Sequence, residues 1–286
     1  MDKIKAYYIL TKPGIIYGNA VNAAAGFFLA SKFHSSIFLF LAMLLGISFS
    51  IAAACVFNNF IDRDVDSKME RTKKRAFVTK SISPKKGLIF GIILALIGAS
   101  FLIFGTNLLT SFITFIGFVF YIILYAIGKR KSVHGTLVGA VSGAVPPVVG
   151  YTAVTNNFDT GALLLFLILV AWQMPHFYAI AIYRLKDYKS AGIPVLPAKY
   201  GLLNTKIQMI FYILLFLVST SLLTFFRYTG FTYLVVVFAL SIYWLILGIQ
   251  GFFVNDSDKW ARKMFFFSLI ITLVFAFIVS VGGILP

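Results

Sequence analysis

The sequence predicts an all-α integral membrane protein with nine transmembrane helices, and three observations carry that prediction. Mean hydropathy is +0.95. Only 12% of the 286 residues are charged and 60% are hydrophobic, whereas soluble domains carry about 25% charged residues. The apolar residues fall in runs long enough for spanning helices of roughly 20 residues, not in the alternating ten-residue segments of an outer-membrane barrel.

Taken in order, the runs place helices at 14–31 and 36–57 and, after a charged connection, at 87–105, 108–128, 135–154 and 161–183. A second polar connection precedes helices at 207–227, 230–250 and 264–283. The fifth helix contains "GAVSGAVPPVVGY", whose freed backbone groups need neighbouring helices to satisfy them. No hydrophilic stretch is long enough for a soluble domain, so residues 1–286 are expected to form one intramembrane domain. The N-terminus "MDKIKAYYILTKPGIIYGN" lacks a cleavable signal or transit peptide pattern, so the first helix is expected to be retained.

The formal net charge is +16, but its distribution argues against nucleic acid as a partner. Of the 25 Lys and Arg residues, all but Lys32 and Arg227 lie before the first helix or in every second connection. The positive-inside rule then places the N-terminus in the cytoplasm and the C-terminus outside, as an odd number of helices requires. Such a protein is expected in the inner membrane of a bacterial-type cell. The lone Cys55 excludes an intrachain disulfide or a thiolate zinc cluster and reads as a small core residue.

Acidic residues number nine, and four of them stand in "NNFIDRDVDSKMERTKKR", residues 58–75. If the second helix continues past the membrane core, Asn58, Asp62 and Asp66 share one face, with Asn59 beside them, while Asp64 points elsewhere. Carboxylates one turn apart repel unless a cation lies between them, and Mg2+ takes one or two carboxylates together with substrate phosphates. Arg71, Lys73, Lys74 and Arg75 follow, a set suited to phosphate oxygens. Metal-holding acids beside cations make a diphosphate site. The competing reading is a solvated loop whose acids pair with its own Arg and Lys.

The second long connection begins in "WQMPHFYAIAIYRLKDYKSAGIPVLP", residues 172–197. On an unbroken helix His176, Tyr183 and Asp187 share a face leading inward to Trp172. Asp187 is the only acid in that connection, and it either pairs locally with Lys186 or Arg184 or faces Asp62 and Asp66 across the bundle mouth. Of the other histidines, His34 lies in an outer connection and His134 reads as a boundary residue.

These stretches, with "TKPGIIYGN" and "SGAVPPVVGY", resemble the UbiA superfamily of intramembrane prenyltransferases. The first motif of that superfamily, NDxxDxxxD, corresponds to "NNFIDRDVD" with Asn58, Asn59, Asp62 and Asp66. The likeness runs from about residue 7 to the final helix, and it is nearest to the branch that farnesylates haem. The resemblance implies a bundle around a central cavity open to the cytoplasmic side, with farnesyl diphosphate held through Mg2+ and its tail in an apolar tunnel. It implies haem B as acceptor, alkylated on a vinyl group to give the hydroxyethylfarnesyl side chain of haem O, and a downstream haem A-forming enzyme or terminal oxidase as recipient. Asp62 and Asp66, with Asn58 and Asn59, are the expected metal ligands. Arg71, Lys73, Arg75, Tyr183, Arg184 and Lys186 are expected at the substrate, and Asp187 and His176 complete the catalytic set. Asn59 replaces the Asp of many relatives, and Tyr183 replaces the first Asp of their second motif, DxxxD, which leaves Asp187 alone. Unidentified Phe and Tyr faces are expected to stabilise an allylic cation. Lys129, Arg130 and Lys131 are candidates for the haem propionates, though their more ordinary role is in topology.

Two other reaction classes fit less well. A CDP-alcohol phosphotransferase would carry "DGxxAR", which "DRDVDSKMER" lacks. An ion-coupled transporter would place its acids near the bilayer midplane on broken helices, whereas these acids cluster at one rim. Another UbiA branch, acting on an aromatic acid or quinone precursor, is the nearest enzymatic rival.

Overall fold

A computed structural model describes residues 3–286. Its elements are α1 (Lys3–Leu10), α2 (Pro13–Ser31), α3 (Ile37–Ile61), α4 (Arg63–Asp66), α5 (Pro84–Gly105), α6 (Leu108–Val119), a π-helical turn (Phe120–Tyr125), α7 (Ala126–Lys131), α8 (Gly135–Gly143) and α9 (Val145–Thr155). They continue through α10 (Thr160–Tyr183), α11 (Leu185–Ser190), α12 (Leu196–Lys199), α13 (Gly201–Phe225), α14 (Phe231–Gln250) and α15 (Ser257–Gly282). Among the described residues there is no β-strand.

Eight helical segments are long and apolar enough to cross a membrane, counting Leu108–Lys131 and Gly135–Thr155 as one segment each. This is a multi-pass membrane protein. The remaining predicted span, α2, is a 19-residue helix that is less apolar than the eight because Asn19, Asn22 and its glycines dilute the run. It nevertheless packs along α3, α9 and α15. The predicted helices begin too late in two places: α13 and α15 start at Gly201 and Ser257, six and seven residues before the apolar runs at 207 and 264. Hydropathy marks the hydrocarbon core, whereas a helix continues while its backbone and side chains find partners. Lys206 does so by donating to Ser257 Oγ at 3.0 Å and lying over the Trp260 ring.

Side-chain caps set many of the helix starts. Ser36 accepts from the Phe38 amide, Asn107 from Thr110, Asp159 from Gly161 and Ala162, and Asp256 from Lys259. The chain starts at one end of the bundle, where the Asn59 side chain donates to the Leu10 carbonyl. It finishes at the other end, where the Gly230 amide donates to the Gly282 carbonyl and the Thr232 amide to Pro286.

Small residues let α2 and α9 meet backbone to backbone, the usual device where lipid offers no hydrophobic drive between helices. A Cβ on Gly26 would fall 1.9 Å from the Pro147 carbonyl oxygen, and one on Gly150 would fall 1.8 Å from that of Ala23. Backbone cannot yield as a flexible side chain does. Gly150→Leu is therefore expected to separate the two helices and to cost on the order of 2–3 kcal/mol as an overpacked core, read as a Tm several degrees lower in detergent. An unchanged Tm would remove this contact from the list of what holds the cavity wall.

Candidate active site

The continuation of α3 carries the first motif. Asp62 stands at φ −89°, ψ 2° and interrupts the helix, so the unbroken helix expected across residues 58–66 is corrected to a helix, one loosened residue and the short α4. The hydrogen-bond ladder survives the interruption: the Asp62 amide donates to the Asn58 carbonyl at 2.9 Å and the Asp66 amide to the Asp62 carbonyl at 2.7 Å. Asn58, Asp62 and Asp66 thus reach the same cavity, which has a volume of about 1190 Å³. That exceeds the roughly 300–1,000 Å³ of ordinary small-molecule pockets and suits a site for two substrates.

All four motif side chains are buried, with Asn58 and Asn59 each 3% exposed, Asp62 5% and Asp66 4%. Charges at such burial require partners, and the bundle supplies them from three directions. Lys12, from the turn before α2, donates to Asn58 Oδ1 at 2.7 Å, and Asn58 Nδ2 passes the contact on to Asp62 Oδ2 at 2.9 Å. Lys129, from α7, pairs with Asp62. Arg75 pairs with Asp66 at 2.6 Å, and the Thr72 hydroxyl fixes the Asp66 carbonyl at 3.0 Å. Burial pulls the Lys12 ammonium down to about 8, and it pushes the Tyr188 phenol up. Asp64 is exposed and held below the usual carboxylate range by hydrogen bonds from Arg130, so it is spent on the surface.

Three buried or half-buried cations therefore stand against two carboxylates, and Arg71 and Lys74 line the same end of the cavity. The excess of positive charge fits a polyanion. The acid pair also fits a divalent ion: among the described residues Oδ1 of Asp62 and Oδ1 of Asn59 are buried and receive no hydrogen bond, and Arg130 stands 3.7 Å from the former. Buried oxygens without donors are what a hard, oxygen-preferring cation would complete. No cluster of three His, Cys, Asp or Glu side chains is present among the described residues, so an ion there would depend on amide and phosphate oxygens as well.

Five predicted site residues lie outside the cavity lining. The helix expected to run unbroken from His176 to Asp187 ends at Tyr183, and Arg184, at φ −111°, ψ 18°, turns the chain into α11. Asp187 rides on α11, which is tied to the 58–75 segment's connection through Ser190, whose hydroxyl bonds the carbonyls of Asp187 and Lys68. Tyr183 packs edge-on to Phe265 and beneath the guanidinium groups of Arg184 and Arg262. Lys186 is exposed, and Lys73 pairs with Glu70 at 2.6 Å. From these two connections, Tyr188 and Lys74 line the cavity instead.

His176 is brought to the cavity wall. Its ring lies between Trp172 and Phe265, with centroids 5.0 and 4.9 Å away, and its Nδ1 is 2.7 Å from Ser268 Oγ. The Ser268 hydroxyl donates to the Phe265 carbonyl at 2.6 Å, so its oxygen accepts from Nδ1–H. That assignment leaves Nε2 as the unprotonated edge. The sequence reading did not assign Lys12 to the site and gave Lys129 mainly to topology. Their signals were present, in a lysine directly before the Pro that opens α2 and in the four-residue steps Tyr121, Tyr125, Lys129.

The UbiA prenyltransferase family profile matches residues 19–270. A protein of Protochlamydia amoebophila named protoheme IX farnesyltransferase is 49% identical over 95% of this chain and 96% of its own. Its namesake in Yersinia pseudotuberculosis is 51% identical over 93% and 91%. Among solved structures, a digeranylgeranylglyceryl phosphate synthase superposes with a TM-score of 0.81 at 21% identity, covering 99% of both chains. A UbiA homolog from Archaeoglobus fulgidus, bound to DMAPP and Mg2+, does so with a TM-score of 0.67 at 14% identity over 96% and 98%. Helix order, the cavity walled by the 58–66 motif and a profile covering most of the length agree, and the chain belongs to the UbiA prenyltransferase family.

Proposed function

We propose that this protein transfers the farnesyl group of farnesyl diphosphate to a vinyl group of haem B, forming haem O with uptake of one water at the other vinyl carbon and release of diphosphate and a proton. The observation that carries the reading is the polarity of one cavity: two buried carboxylates and a surplus of cations at one end, and a largely apolar remainder. The near-full-length relatives named protoheme IX farnesyltransferase support the choice of donor and acceptor.

In this reading Asp62 and Asp66, with the amide oxygens of Asn58 and Asn59, hold Mg2+. The ion supplies Lewis-acid neutralisation of the diphosphate. Lys12, Arg71, Lys74, Arg75 and Lys129 bind the outer phosphate oxygens, and their charge counts for more as the leaving group becomes more negative in the transition state. The apolar wall, including Ile51, Phe118 and Val145, takes the prenyl tail and keeps water from the reacting carbon. His176 faces the acceptor with an unprotonated Nε2. The motif-bearing end lies on the cytoplasmic side of a bacterial inner membrane, as the basic connections indicate. Haem O then leaves to a haem A-forming enzyme or a terminal oxidase.

Purified protein in nanodiscs, given radiolabelled farnesyl diphosphate and haem B, is expected to form labelled haem O. Chelation should stop the reaction and added Mg2+ should restore it. Transfer of label to an aromatic acid but not to haem would reassign the acceptor, and solute flux without any prenylated product would sink the enzyme reading.

A further inference from the structure

The cavity wall made by α10 and α15 carries a polar arrangement that the diphosphate end does not use. Trp172 and His176, one turn apart on α10, both line the cavity, and both are fastened to a single buried residue of α15. The Trp172 indole donates to the Ser268 carbonyl at 2.8 Å, and His176 Nδ1 meets the Ser268 hydroxyl at 2.7 Å. Because that hydroxyl gives its own proton to the Phe265 carbonyl, the Ser268 oxygen accepts from the ring and fixes the imidazole proton on Nδ1. The ring is clamped between Trp172 and Phe265. One edge is left: Nε2 keeps its lone pair and makes no hydrogen bond among the described residues.

The same helices contribute apolar lining at Leu169, Ile180 and Leu269, together with one neutral polar pair. Thr272, one turn beyond Ser268 on α15, brings its hydroxyl to 3.4 Å from Asn22 Oδ1 of α2, and both residues line the cavity. The charged side chains of the lining all belong to the 58–75 segment, to Lys12 and to Lys129. A wall with an imidazole lone pair, a hydroxyl and an amide but no charge suits a neutral polar molecule. Water is the smallest that fits, and it needs about two to four polar partners in such a place. The transfer proposed above consumes one water and must dispose of one proton.

We infer, on the basis of that transfer to haem, that His176 is the catalytic base for the water that completes the acceptor's side chain, and that Ser268 is the positioning residue that keeps Nε2 free of a proton. When the vinyl π pair closes the bond from its terminal carbon to carbon 1 of the farnesyl group, the inner vinyl carbon is left as a cation beside the porphyrin ring. A lone pair of the water oxygen forms the new bond to that carbon. One O–H bond then breaks with its electrons staying on oxygen, and the proton goes to Nε2, from which it passes to solvent. Nothing is oxidised or reduced. Asp62 and Asp66 are poorly placed for this proton, since each is held in an ion pair at the diphosphate end. Without a base the cation loses a proton from the neighbouring CH2 instead, which leaves an alkene one water lighter than haem O.

The test uses the full-length protein in nanodiscs with farnesyl diphosphate and haem B, its haem products separated and identified by mass spectrometry. His176→Phe keeps an aromatic ring in the clamp and removes the base, and the ratio of haem O to the dehydrated product is expected to fall at least about 100-fold. Ser268→Ala keeps the carbonyl that holds Trp172 and removes only the hydroxyl, so the ratio should fall about 10-fold, and Ser268→Thr should restore most of it. The ratio is read on whatever product forms, so a smaller yield of folded protein does not move it. A flat ratio in either variant, with both products falling alike, would overturn that residue's role in favour of packing. The Soret band of the ferric haem B complex is expected to be the same in wild type and His176→Phe, and a shift would make His176 an iron ligand instead of a base. Diphosphate release by the wild type without farnesylated haem would overturn the acceptor assigned above and this role with it, whereas haem O from the wild type beside flat ratios in the variants would overturn this role alone.

Discussion

Asp62→Ala is expected to lower turnover by at least about 10³-fold, a loss of about 4 kcal/mol in transition-state stabilisation, with the protein still inserted and folded. The side chain accepts from Asn58, pairs with Lys129, and leaves one buried oxygen without a hydrogen-bond donor. Removing it takes away a ligand of the proposed metal site and the partner of the Lys129 ammonium. Asp62→Asn should be nearly as inactive, since an amide keeps the shape but supplies neither the negative charge nor a second oxygen. Glu70→Ala is the matched control in the same stretch, because Glu70 is 79% exposed and pairs only with Lys73 among the described residues. Turnover assayed over a wide range of Mg2+ separates lost chemistry from weakened metal binding. If Asp62→Ala retained near-normal turnover, the motif would be a structural ion-pair cluster and the site would have to be sought deeper in the cavity.

The helices and the first motif were legible because both rest on local rules. Runs of apolar residues mark the hydrocarbon core, and the spacing of Asn58, Asp62 and Asp66 survives the break at Asp62, since the backbone ladder is kept across it. The second connection was less legible for a related reason. One residue, Arg184, leaves the helical conformation, and its new direction carries Asp187 and Lys186 off the face shared by His176. No periodicity argument reads through such a break, and the segment beyond it makes a tertiary contact, the Ser190 to Lys68 hydrogen bond, that local spacing does not encode. Lys12 and Lys129 were hidden differently. Each stands at a helix end on the basic side, where topology alone accounts for a lysine, so their approach to Asn58 and Asp62 depended on partners 46 and 67 residues away. The π-helical turn has no sequence signal in "FYIILY" of the kind a proline gives.

Lys129→Met is expected to act in opposite directions on the two ligands of the site. In the absence of substrate the ammonium neutralises Asp62, so it competes with a divalent ion for that carboxylate. Deleting it should lower the Mg2+ concentration needed for half-maximal activity. The same ammonium is positioned to turn toward a diphosphate, where one charge pair at about 4 Å contributes roughly 4 kcal/mol at an effective dielectric constant of 20. Four other cations, Lys12, Arg71, Lys74 and Arg75, share the load, and water at the mouth screens them. The expected net effect is therefore a KM for farnesyl diphosphate raised about 10–100-fold, near 1.4–2.7 kcal/mol. Methionine keeps much of the volume and apolar stem of lysine, so the packing beside Tyr125 is largely retained. Lys131→Met, at an exposed position four residues before the start of α8, removes the same charge from the same side of the membrane. A topology role would make the two variants alike. A site role predicts that Lys129→Met alone moves both constants, one down and one up, and equal shifts in the same direction would show that Lys129 neither competes for Asp62 nor reaches the phosphate.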